Sequence, residues 1–98
     1  MSYEFLYEDR VDNDIDEALD YYFSINPNLA EDFLDRIEEA KTKILNSVEG
    51  FEIKYADSVR TVLLKQFPYH LYYTIDQNNI VVLAILHAHS GQNKINEI

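Results

Sequence analysis

The sequence predicts a two-layer α+β domain of order β-α-α-β-β-β, with a helical hairpin packed on one face of an antiparallel-rich sheet. Three observations carry this expectation: an alternating aromatic segment near the start, two consecutive amphipathic runs at helical spacing, and three β-rich runs in the second half. A chain of 98 residues has the usual size of one domain, so the whole of 1–98 reads as a single folding unit. Hydrophobic residues make up 47% of it, with 8 Tyr and 5 Phe, which is enough apolar surface to order a core without covalent staples.

Each element has its own signal. In Tyr3 to Glu8, Tyr3, Phe5 and Tyr7 fall on one side of an extended segment, the period of a half-buried strand. Ile15, Ala18, Leu19, Tyr22 and Phe23 then recur at helical spacing, while Asp9, Asp12 and Asp14 suit the positive end of a helix. Pro27 cannot continue that helix but can open the next, with Asn26 as its cap. The second helix places Leu29, Ala30, Phe33, Leu34, Ile37, Ala40, Ile44, Leu45 and Val48 along one stripe, and Gly50 is placed to end it. Phe51 to Asp57 reads as a loop. Val59 to Phe67, Tyr69 to Ile75 and Ile80 to His87 read as a meander, with Asp76-Gln77-Asn78-Asn79 as a turn and Pro68 at a strand edge. Gly91 to Ile98 reads as a polar tail.

Charge is uneven along the chain. The net charge of -10 lies in residues 1–49, which hold 14 acidic and 4 basic side chains, whereas residues 50–98 hold 4 of each. Such a balance opposes nonspecific attraction to nucleic acid or anionic lipid. With 0 Cys there is no disulfide framework, thiolate metal site or thiol nucleophile, and the expected compartment is the cytoplasm. No segment approaches the apolar length that spans a bilayer, so no membrane association is expected.

The element order, together with Arg60, the Phe67-Pro68-Tyr69 turn, Tyr73 and the closing His87, resembles the RelE/ParE toxin superfamily of type II toxin–antitoxin and plasmid stabilisation systems. The resemblance spans nearly the whole chain and implies a toxin-like component held inactive by a cognate antitoxin. Its expected targets are the ribosome with mRNA, cut by a metal-independent endoribonuclease, or alternatively DNA gyrase, bound without catalysis. A nontoxic member that only binds an antitoxin is the third reading. No cofactor is implied.

Metal-free RNA cleavage needs a base for the ribose hydroxyl, an acid for the leaving oxygen and cations for the phosphorane. By resemblance, the candidates are Arg60, Lys65, His70, His87 and His89, with Tyr69, Tyr72 and Tyr73 placed to stack on a base. Strand alternation puts His87 and His89 on one face, but no third ligand at convincing spacing makes them a metal site. Each candidate also has a structural reading. His70 fits a cross-strand polar position, Arg60 and Lys65 fit partners for carboxylates, and at least one tyrosine fits core packing. Where related nucleases tend to carry Arg, this chain has His70, and the segment after His87 contains no Arg. A His can replace such a phosphate clamp only when protonated.

Overall fold

The computed structural model describes residues 2–51, 53–55 and 58–88. Its elements are β1 (Glu4–Tyr7), α1 (Arg10–Ile25), α2 (Pro27–Asn46), β2 (Ile53–Tyr55), β3 (Val59–Leu63), β4 (Tyr69–Asp76) and β5 (Asn79–His87). The strands form one sheet in the order β1-β5-β4-β3-β2. β1 runs parallel to β5, and the other three pairings are antiparallel. The α+β expectation holds, with one addition: the predicted loop from Phe51 to Asp57 contains β2. That strand has only three residues, and its pairing with β3 is irregular between Ile53 and Tyr55. A segment this short and out of register leaves no alternation to read.

The helices form where their stripes predict them, with a narrower buried face. Asn26 caps α2 through its side chain, which accepts from the Asn28 N–H at 2.9 Å, and Pro27 occupies the first turn, where a missing N–H costs nothing. Val11, Ala18 and Tyr22 from α1 meet Phe33, Ile37, Ala40 and Ile44 from α2 in the main core. Phe23, Leu34 and Leu45 instead lie at the edges of the stripes and are exposed. Gly50 does not cap α2 as its position predicts. The helix ends at Asn46 with Ser47 as its C-cap, and no glycine has positive φ among the described residues. Gly50 serves the next turn, donating its N–H to the Ser47 carbonyl at 2.9 Å, where any Cβ would collide with the Ser47 side chain.

Beneath the helices the sheet contributes Val62, Leu71, Tyr73, Ile80, Val82 and Ile85 to the main core. Its other face carries a smaller cluster of Tyr72, Ala84 and Leu86, flanked by Val59 and Leu83. The β4–β5 register shifts between Tyr72, opposite Ala84, and Tyr73, opposite Val82, so Leu83 is the extra residue of a bulge.

Asp14 locks helix to sheet. It is 8% exposed, and its Oδ2 accepts the backbone N–H of Ile85 at 3.1 Å and lies 3.3 Å from Arg10 Nε. Its sequence position reads as first-turn electrostatics, yet the side chain points inward and satisfies a buried backbone donor. Two turns depend on left-handed residues. Gln77, with φ of 56°, opens the two-residue β4–β5 loop, where a primed turn demands positive φ. Gln66, with φ of 73°, is held there by its amide, which accepts from Arg36 Nε at 3.2 Å and donates to Asp32 Oδ2 at 3.1 Å. At the opposite margin, Lys41 Nζ sits 5.0 Å from the Phe5 ring centre and 5.3 Å from that of Tyr7, fastening β1 to α2.

Candidate functional site

The candidate side chains divide into groups that the sheet keeps apart. Tyr69, the first residue of β4, pairs in register with His87, the last of β5. Their ring centres lie 5.2 Å apart at 80°, an edge-to-face contact. Tyr69 also meets Phe33 at 5.1 Å and Tyr22 at 6.1 Å. Around this group opens a cleft of about 410 Å³ lined by Tyr21, Tyr22, Ile25, Pro68, Tyr69 and His87. Burial, and secondarily the neighbouring Tyr21, pushes the Tyr22 phenol above its ordinary range. Burial also raises Tyr69, with the approach of Tyr22, Tyr21 and Glu17 adding to it. Both phenols are therefore neutral at physiological pH.

Arg60 and Tyr73 form a second group, paired in register on β3 and β4. The Arg60 guanidinium donates through Nη1 to the carbonyls of Glu49 at 2.9 Å and Phe51 at 2.6 Å. The Tyr73 hydroxyl donates to the Val48 carbonyl at 2.9 Å, and the residue is wholly buried. Burial raises the Tyr73 phenol, and the Arg60 charge draws it part of the way back. Together they latch the chain leaving α2 onto the sheet, directing side-chain donors at backbone carbonyls of the segment that follows the helix. At ~3.3 Å rise per residue, Tyr73 and Arg60 lie roughly 13 Å along the strand from Tyr69 and His87.

On the opposite face, His70 Nδ1 is 3.1 Å from Thr61 Oγ1, and its ring lies 6.1 Å from that of Tyr72. Tyr72 is 4% exposed and Tyr73 fully covered, so neither offers a ring face on which a base could stack, contrary to the sequence expectation. Lys65 is exposed in the connection from β3 to β4, and its charge acts on Glu39 of α2. His89 lies outside the described residues. General acid–base cleavage requires its groups within hydrogen-bond reach of one reacting centre. Tyr69 and His87 line one cavity together. Among the described residues no group of three or more His, Cys, Asp or Glu side chains is placed to hold a metal.

Tyr22 falls on the apolar stripe that helical spacing predicts for α1, and Tyr21 beside it does not. The two lie edge to face with centres 5.0 Å apart at the end of α1, and adjacent aromatics closing a helix were the available signal. Asp14 was legible only as one acid among many.

A five-stranded mixed sheet carrying a helical hairpin on one face defines a small two-layer α+β domain. Comparison with known proteins gives the family. Residues 5–90 match the family model of the ParE toxin of the type II toxin–antitoxin system, parDE. The chain belongs to that family: it is the toxin component of a type II toxin–antitoxin module, and its partner is a cognate antitoxin. The fold is similar to a chain of the chromosomal ParDE toxin–antitoxin system from P. aeruginosa, with TM-score 0.77, 20% identity, and coverage of 89% of this chain and 97% of that one. It is also similar to the isolated E. coli RelE toxin, with TM-score 0.56, 15% identity, and coverage of 98% and 95%. No curated protein sequence matches the chain. No helix among the described residues is long and apolar enough to cross a membrane.

Proposed function

We propose that this toxin acts in the cytoplasm by occupying a protein surface, with DNA gyrase as its target, and not by cleaving RNA. The dispersal of the candidate residues carries the reading. Arg60, the one candidate with a permanently charged guanidinium, is tied to the carbonyls of Glu49 and Phe51, roughly 13 Å from His87 along the sheet. A net charge of -10 adds to it, since the long-range field opposes approach to ribosomal RNA. Purified toxin is expected to inhibit DNA supercoiling by gyrase and to leave ribosome-bound mRNA intact. Cleaved mRNA with unimpaired supercoiling would overturn the reading.

One observation favours the nuclease alternative: His87 and Tyr69 do meet at an open cleft. That version requires cleavage that His87→Ala abolishes. Overexpression without growth arrest, with the antitoxin still bound, selects the nontoxic reading.

A further inference from the structure

The cleft at the C-terminal end of α1 has the chemistry of a cation receptor. Its rings are tilted against one another, Tyr21 on Tyr22 at 76°, Tyr22 on Tyr69 at 63° and Tyr69 on His87 at 80°. All four of these residues line the one cleft, where ring quadrupoles attract positive charge. The phenols of Tyr22 and Tyr69, neutral at physiological pH, are also hydrogen-bond acceptors for a planar donor.

α1 is strongly acidic along its length. α1 carries Asp12, Asp14, Asp16, Glu17 and Asp20 against Arg10 alone, and the negative charge of Glu17 acts on the Tyr69 phenol. The last turn of α1 contains no basic residue, so the negative end of the helix dipole has no cation from that turn. Ile25 and Pro68 supply apolar walls along which an alkyl stem can lie. Tyr21 and Ile25 are 60% and 58% exposed, which leaves the mouth open. A phosphorylated nucleotide would bring its charge against the same field, whereas a guanidinium satisfies the ring faces, the phenol oxygens and the field at once.

From this geometry we infer that the cleft receives an arginine side chain presented by the antitoxin. Family membership supplies that partner, and a toxin of net charge -10 is complemented by a basic segment. The inference rests on the antitoxin pairing and not on the gyrase target, so lost or retained gyrase inhibition leaves it untouched.

The test is a titration of the folded toxin with N-acetyl-arginine amide, followed by the ring-proton resonances of Tyr21, Tyr22, Tyr69 and His87. Saturable shifts are expected with the arginine probe and none with neutral N-acetyl-glutamine amide. Tyr21→Ala, at an exposed position, and Glu17→Gln should each weaken binding at least about threefold while the fold's spectrum stays unchanged. In the complex, one Arg→Ala variant of the antitoxin should couple to Tyr21→Ala in a double-mutant cycle, the pair costing less than the sum of its parts. Equal shifts from the glutamine probe, no saturable shift, or stronger perturbation of the same rings by adenosine monophosphate would overturn it.

Discussion

β4 presents its two sides to different surroundings. Toward the helices, Leu71 and Tyr73 join a core in which Phe33 contacts Tyr22, Phe67 and Tyr69. Away from them, Tyr72 packs with Ala84 and Leu86, and His70 meets Thr61. Two adjacent tyrosines thus have different roles: Tyr73 ties the α2 exit to the sheet, while Tyr72 belongs to a separate small cluster. A strand alternates its side chains but not their roles, which are set by what each face meets. Among Arg, His and Tyr in such a sheet, residue type alone identifies chemistry poorly.

The comparison breaks most readily at Phe33. Phe33→Ala empties the centre of the aromatic cluster on the covered face and should cost about 3–5 kcal/mol in urea unfolding. A loss under about 1 kcal/mol would mean the two faces contribute alike. Arg60→Ala comes next. It removes two charge-assisted bonds to backbone carbonyls and should cost about 1.5–3 kcal/mol, whereas a purely functional Arg60 would leave stability unchanged and abolish toxicity.

Tyr73→Phe tests the same latch without a cavity. The Val48 carbonyl loses its donor, for an expected cost of about 1 kcal/mol. Alkaline pH supplies an independent view. Tyr22, Tyr69 and Tyr73 are all raised above 10.0 in the fold, so unfolding releases phenols that ionise more readily. Their contribution is fully present below pH 10.0 and is lost as pH rises through their elevated folded values. Unfolding at stepped alkaline pH, read with tyrosinate absorbance, should show stability falling above pH 10.0, less steeply in Tyr73→Phe.

The smallest effects belong to the opposite face and the hairpin tip. His70→Ala should change stability by less than about 1 kcal/mol, because its bond to Thr61 is only part-buried. Gln77→Gly should stabilise by about 0.5 kcal/mol, relieving a side chain at positive φ against the added freedom of the unfolded chain. Destabilisation there would show that the Gln77 side chain holds the turn.

The architecture was legible because its signals are periodic and long. α2 runs 20 residues on one apolar stripe with a proline at its start, and β4 and β5 are eight and nine residues of β-rich sequence. What escaped was short or tertiary. β2 has three residues, too few for a period, and the inward turn of Asp14 depends on Ile85, 71 positions away. The candidate site failed to assemble for a related reason. Arg60 is located by the Glu49 and Phe51 carbonyls in the segment after α2, and nothing in the residues around it announces them.

Gln66 has a consequence for how this chain can vary. Its backbone turns the link between β3 and β4 while its amide grips Arg36 and Asp32, so that link works as a fixed-length spacer between sheet and helix. An inserted residue on either side of Gln66 must either break the amide's hold on Arg36 and Asp32 or shift the pairing of β4 with β3.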